Sequence, residues 1–108
     1  MYDFLRSKNM IKHIILWKLK SEMTAEEKSA AKLEAKARLE NLNGRIDGLV
    51  SLRVVTDGLS TSNADMMLDS QFTTTEALAG YQVNPLHLEA AGFVRSVVET
   101  RLCLDFED

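Results

Sequence analysis

The stretch MIKHIILWKLK, Met10 to Lys20, constrains this chain more than any other. A β-strand sends successive side chains to opposite faces, so its two faces can be written out by a period of two. One carries Ile11, His13, Ile15, Trp17 and Leu19; the other carries Met10, Ile14 and Leu16 among Lys12, Lys18 and Lys20. A strand with both faces largely apolar belongs in the middle of a sheet, covered on both sides. The run IILW within it is far too short to span a bilayer and has lysines on both flanks.

The remaining segments supply the rest of a sheet and its helices. Thr24 followed by Glu27 is a capping-box pattern, after which Ala31, Ala35, Leu39, Leu42 and Ile46 recur at helical spacing, with Gly44 after Asn43 as a stop. The spacing predicts a helix over Thr24 to Asn43 with an alanine-rich stripe that packs closely onto a sheet. Leu49 to Thr56 places Val50, Leu52 and Val54 on one face and Ser51 and Arg53 on the other, the pattern of a half-exposed edge strand. DGLSTSNA reads as a loop, and Asp65 to Thr73 as a third strand with Met66, Leu68 and Phe72 on one side.

Thr73 and Glu76 form a second capping-box pattern that opens a short helix through TEALAGYQV. Asn84 and Pro85 then restart it. Asn is a favoured N-cap, Pro suits the first helical position, and the residue before Pro is pushed out of helical geometry. A further helix runs from Pro85 to about Ser96, and Val98 to Phe106 alternates as a closing strand.

The order β-α-β-β-α-β, with the second helical element broken in two, is the ferredoxin-like arrangement of an α+β protein. It implies a four-stranded antiparallel sheet with its first and third strands central and its helices on one face. The other face would leave Ile14, Leu16 and their neighbours exposed, which points to a homodimer joined through the sheet faces.

At 108 residues the chain is one domain, and its 45% hydrophobic and 27% charged residues are those of an ordinary globular protein. Thirteen basic and 16 acidic residues are mixed along the chain for a net charge of -3, so no basic stripe recruits nucleic acid. MYDFLRSKN lacks the apolar core of a signal peptide, and no segment is long enough for a membrane span, so a cytoplasmic protein is expected. Cys103 is the single cysteine, which excludes an internal disulfide. With only His13 and His87 beside it, a structural zinc site is not expected. A carboxylate-assisted metal site stays open, although no spacing points to one. No cofactor is implied.

Four segments, taken in order and spacing, resemble the stress-responsive A/B barrel (Dabb) family of small dimeric α+β barrel proteins. They are IKHIILWKLK, IDGLVSLRV, YQVNPLHLEAAGFVRSVV and ETRLCLDFE. The resemblance covers Met10 to about Glu107. It implies a domain over residues 10–107, with 1–9 an N-terminal extension or the product of a start placed too early. It also implies a ferredoxin-like protomer that pairs into a barrel, often without a known reaction. Part of the pattern is similar to plant polyketide cyclases of the olivetolic acid type, which close a linear polyketide by an intramolecular aldol condensation. Their Y-x-x-H-P-x-H tyrosine and last histidine match Tyr81 and His87, and a histidine of their first strand matches His13. The middle histidine is Asn84 here, and Trp17 is a larger group in the first strand.

An aldol cyclisation needs a base beside a carbonyl and a donor for the enolate oxygen. Residues six apart in one unbroken helix point about 120° away from each other, and the break at Asn84-Pro85 lifts that restriction on Tyr81 and His87. The break also sets His87 near the third position of a new helix, where the positive end of the dipole favours the neutral imidazole. The catalytic reading makes His87 the base, Tyr81 the donor and His13 an orienter or second donor, with Ile15, Trp17 and Asn84 lining the substrate. The plainer reading makes His87 a helix cap near Asn84, Tyr81 a core residue with its hydroxyl at a rim, and His13 a satisfied core histidine. Trp17, Met66 and Met67 read as core or dimer interface, and Cys103, on the face of Arg101 and Asp105, has no strong claim as a nucleophile. The expected function is that of a small homodimer binding a small apolar or aromatic molecule. The alternative is a cofactor-independent cyclase or isomerase, and a purely structural oligomer would have no cavity.

Overall fold

The computed structural model describes residues 9–108, so the expected extension over residues 1–9 lies, except for Asn9, outside the described residues. The elements are β1 (Ile11–Leu19), α1 (Ala25–Glu40), β2 (Leu49–Val55), β3 (Met66–Phe72), α2 (Thr75–Val83), α3 (Pro85–Val97) and β4 (Val98–Glu107). The four strands form one antiparallel sheet in the order β2-β3-β1-β4. This is the ferredoxin-like α+β arrangement with β1 and β3 at its centre and the second helical element split into α2 and α3.

The side of β1 that carries Ile11, His13, Ile15, Trp17 and Leu19 is buried beneath the helices. Leu52 and Val54 of β2 and Met66, Leu68 and Phe72 of β3 extend the same layer, against Ala31, Ala35 and Leu39 of α1. The alanines hold α1 close to the sheet, because a methyl group is all that separates backbone from strand. Phe72 is fully buried, worth about 2–3 kcal/mol of apolar transfer for a side chain of that size. Ser70 is the polar residue of this layer on β3, and its hydroxyl donates to the His13 carbonyl at 2.7 Å.

The opposite side of the sheet has no helix over it. Leu16, Leu102, Leu104 and Phe106 are exposed there, and the β1–β4 register sets Leu16 beside Leu102, with Ile14 beside Leu104. β4 therefore points its apolar residues away from the helices, so that only Val98 is partly covered and the strand from Glu99 onward is exposed. The same side carries a charged cluster in which Asp69 accepts from Lys12 at 2.6 Å and from Arg53 at 3.2 Å. The Lys12 hydrogen bond, helped by Arg53 against the cost of burial, holds the Asp69 carboxyl below the usual carboxylate range.

Local signals in the sequence account for most element ends. At α1, the Glu27 N–H donates to Thr24 Oγ1 at 3.1 Å and the Thr24 N–H donates to Glu27 Oε1 at 2.8 Å, a complete capping box. The helix ends at Glu40, short of the expected Asn43. Leu42 and Ile46 are buried from the turn that follows, where Gly44 adopts φ +78°. Around this turn α1 reaches the outer edge of β2. Asn43 Nδ2 donates to the Leu52 carbonyl at 2.8 Å, Lys36 Nζ to the Val54 carbonyl at 2.8 Å, and the Val54 N–H donates to Glu40 Oε2 at 2.9 Å.

Two further details differ from the sequence reading. Val50 is exposed rather than sharing the face of Leu52, because the β2–β3 register shifts between Leu49 and Ser51 and makes Val50 the extra residue of a bulge. The cap of α2 is Thr74, not Thr73, since β3 runs as far as Phe72 and Thr73 is used in the turn, its N–H donating to the Gly48 carbonyl at 2.9 Å. Thr74 Oγ1 accepts the Ala77 N–H at 3.0 Å.

Candidate functional site

Asn84 has extended backbone geometry (φ -68°, ψ 131°) and closes α2 while opening α3. Its Oδ1 accepts the Leu86 N–H at 2.9 Å, and Pro85 occupies the first turn of α3. This corner swings the start of α3 back over the end of α2. As a result Tyr81 and His87 lie ring against ring, 4.1 Å between centroids at 37°. An unbroken helix would have directed them to different sides.

The pair forms one wall of a cavity of about 390 Å³ between the two helices and the β1 side of the sheet. His13, Ile15 and Trp17 of β1 line the opposite wall, while Arg95, Glu99 and Arg101, all exposed, stand at its rim. Five of the residues singled out in the sequence, His13, Ile15, Trp17, Tyr81 and His87, thus meet around one space. Asn84 does not line it, because its side chain is committed to the cap.

Tyr81 is 1% exposed and packs on Phe72 (4.9 Å between centroids) as well as on His87. Its hydroxyl and His87 Nδ1 are both buried, and neither has a hydrogen-bond partner. A buried polar group left in that condition costs about 1–3 kcal/mol, and such groups are rare in native proteins. Burial drives the Tyr81 phenol well above its ordinary pKa, only partly offset by the Arg101 charge, so Tyr81 is a proton donor and not a base. Burial also lowers the His87 pKa, assisted by the nearby Arg95 and Arg101 charges and opposed by the Gln82 carbonyl. The direction agrees with the expectation for a helix start, but the leading cause is desolvation. Nor does His87 cap the helix through Nδ1, since Asn84 does that work.

His13 is 2% exposed, with its ring edge-on to Phe72 at 6.3 Å and to Tyr81 at 6.2 Å. Its Nδ1 lies 2.5 Å from Asp105 Oδ1, the residue directly opposite on β4. A neutral imidazole that donates from Nδ1 to a carboxylate keeps its lone pair on Nε2, so Asp105 selects the tautomer. Cys103 Sγ is 3.7 Å from His13 Nδ1 and 3.4 Å from Asp105 Oδ1. Burial and the neighbouring Asp105 push the Cys103 thiol up in pKa. These two residues were visible in the sequence as one face of the last strand. Their place beside His13 depends on the β1–β4 register, which no local pattern encodes.

Chemically, the wall offers a hydroxyl donor and an imidazole acceptor side by side in an apolar setting, the combination that grips a carbonyl or hydroxyl on an otherwise apolar molecule. The donors that could hold a metal ion are the second cluster, His13, Cys103 and Asp105, whose ligating atoms all lie within 4.8 Å of one another.

Comparison with functionally curated proteins gives no significant match. Among solved structures, a dimeric protein of unknown function with a ferredoxin-like fold from Bacteroides fragilis is 27% identical. It covers 92% of this chain and 96% of its own, with a TM-score of 0.86. A dimeric ferredoxin-like protein of unknown function from Thermobifida fusca is 21% identical over 93% of this chain and 92% of its own, with a TM-score of 0.75. The hydroxynitrile lyase of Passiflora edulis shares the fold at 15% identity, covering 94% of each chain with a TM-score of 0.72. The family profile described as the stress-responsive A/B barrel domain matches residues 11–108. With nearly every described residue inside that match, the chain belongs to the stress-responsive A/B barrel (Dabb) domain family.

Proposed function

We propose that this protein is a cytoplasmic homodimer, joined through the open faces of its sheets, whose domain over residues 10–107 binds a small apolar or aromatic molecule bearing a carbonyl or hydroxyl group. The observation that carries the reading is the pair of buried atoms without partners, Tyr81 Oη and His87 Nδ1, on residues that line a cavity with an apolar interior and a charged rim. A ligand oxygen that reaches the two would satisfy both, and about 390 Å³ lies within the range of small-molecule sites. Pairing through the sheets is supported by the exposed Leu16, Leu102, Leu104 and Phe106, and by the dimeric state of the proteins from Bacteroides fragilis and Thermobifida fusca. A reducing compartment suits a single exposed thiol, and no helix among the described residues is long and apolar enough to cross a membrane.

The test is a calorimetric and thermal-shift screen of phenolic and β-keto compounds against wild type and Tyr81→Phe. Binding should weaken about tenfold in the variant, as the loss of one hydrogen bond implies, while the stability of the free protein stays level or rises. Equal affinity in both proteins would falsify the assignment.

A second reading, a cofactor-independent proton-transfer enzyme such as a cyclase or isomerase, is favoured by the protonation states. Burial keeps His87 neutral and Tyr81 protonated within one ring contact of each other. His87 Nδ1 would remove a proton beside the substrate carbonyl, and the Tyr81 hydroxyl would donate to the enolate oxygen that forms. His13, held by Asp105, would orient the substrate through the lone pair on its Nε2. Turnover of any ligand found in the screen should fall at least about a hundredfold in His87→Gln with binding retained. Unchanged turnover ends this reading and leaves the binding role standing.

A further inference from the structure

On an antiparallel pair of strands, residues i and i+2 of one strand and the residue opposite them on the other project to the same side and converge. β4 contributes Cys103 and Asp105 in this way, and β1 contributes His13, which is paired directly with Asp105. The three residues differ in chemistry, and their donor atoms face one another: Nδ1 to Oδ1 is 2.5 Å, Sγ to Oδ1 is 3.4 Å, and Sγ to Nδ1 is 3.7 Å.

We propose that His13 Nδ1, Cys103 Sγ and Asp105 Oδ1 form a binding site for a zinc-type divalent transition metal, with three protein donors and a fourth position for water or a ligand oxygen. Tetrahedral zinc with sulfur at about 2.3 Å and nitrogen and oxygen at about 2.0 Å sets its donors about 3.3–3.6 Å apart. Both edges that involve Cys103 are already within a few tenths of an ångström of that geometry. The His13–Asp105 edge is a hydrogen bond and has to open by roughly 1 Å or less, as the ion replaces the shared proton. Asp105 lies on an exposed strand and can make that movement, whereas His13 is held. Its ring is packed edge-on against Phe72 and Tyr81, and its carbonyl accepts from Ser70. On binding, the Cys103 thiol proton leaves to solvent and the neutral His13 ring carries its proton on Nε2.

Donor type selects the ion. A thiolate and an imidazole favour zinc, cobalt or nickel over magnesium or calcium, which take oxygen-only sets. Two exposed partners give the ion an entry path, and the buried histidine gives it a fixed anchor. Of the other charges on this side of β4, Glu99 and Glu107 favour a cation and Arg101 opposes it. The spacing is absent from any single run of sequence, because His13 stands 92 residues from Asp105. The inference is independent of the ligand reading, and its test uses the metal alone.

Full-length protein freed of metal is titrated with Co²⁺ and then with Zn²⁺ in competition. One equivalent of Co²⁺ per protomer should produce intense tetrahedral ligand-field bands and a thiolate-to-cobalt charge-transfer band, both displaced by Zn²⁺. Cys103→Ser should abolish the charge-transfer band and Asp105→Asn should weaken binding about tenfold or more, both proteins keeping the wild-type circular dichroism because each side chain is exposed. His87→Gln should bind as wild type does. Absence of saturable binding overturns the proposal. So does a spectrum unchanged by Cys103→Ser, or loss of binding in His87→Gln.

Discussion

His87 and Gly48 govern the cavity from opposite ends of the problem, one through its protonation and the other through its lack of a side chain. Because burial lowers the folded-state pKa of His87 below its ordinary 6.5, the unfolded chain binds more protons than the folded one in the window between the two values. Stability therefore rises with pH through that window, is fully present above it, and is lost as pH falls. Urea melts between about pH 5 and about pH 8 should show this slope in wild type and a flatter one in His87→Gln. Gly48 adopts φ +80°, and a Cβ there would stand 2.4 Å from Ala77 Cβ and 3.1 Å from Thr73 Oγ1. Ala77 lies one helical turn before Tyr81, so Gly48→Ala should cost about 2 kcal/mol or more in chemical denaturation and also weaken ligand binding by displacing α2. At this scale the sequence exposed the residue types but not their neighbours. Tyr81, His87 and His13 stand out as chemistry-bearing side chains, whereas Asp105 and Cys103 acquire meaning only when β4 is aligned against β1.

Among the elements, the join between α2 and α3 was the most legible, because Asn-Pro carries a cap, a first-turn residue and a restriction on the preceding backbone in two positions. Asn84→Ala should lose the Leu86 hydrogen bond at a cost of about 1 kcal/mol, read as a lower midpoint in thermal melts. The turn should stay in place, because Pro85 still bars a continuous helix. The boundaries that escaped the sequence reading are those where two adjacent residues can serve equally well. Thr73 and Thr74 are both competent caps, and the choice falls to Thr74 because β3 extends through Phe72. Val50 fits an alternating strand as written, and only the pairing with β3 inserts it as a bulge. The end of α1 comes earlier than the sequence spacing implies for a related reason: Leu42 and Ile46 keep a helical spacing although a turn, not a helix, buries them.

For the whole molecule, the decisive signal was β1 itself, whose second apolar face finds no cover within the protomer. β4 turns Leu102, Leu104 and Phe106 to that same side, so the two strands together present one apolar surface. Leu104→Asp should convert the proposed dimer to a monomer at micromolar concentration in sedimentation velocity while leaving the circular dichroism unchanged, since Leu104 is 64% exposed in the protomer. A variant that remains a dimer would place the contact elsewhere.

The side chains that α1 lays along β2 have a further consequence. Asn43, Lys36 and Glu40 occupy the outward carbonyl of Leu52 and both outward groups of Val54, so that margin of the sheet is blunted against pairing with another strand. Growth into an open-ended fibril needs two receptive margins per molecule, one to receive and one to offer. Among the described residues β4 is the more receptive margin, so strand addition there meets a blunted β2 edge at the next step and open-ended growth is disfavoured.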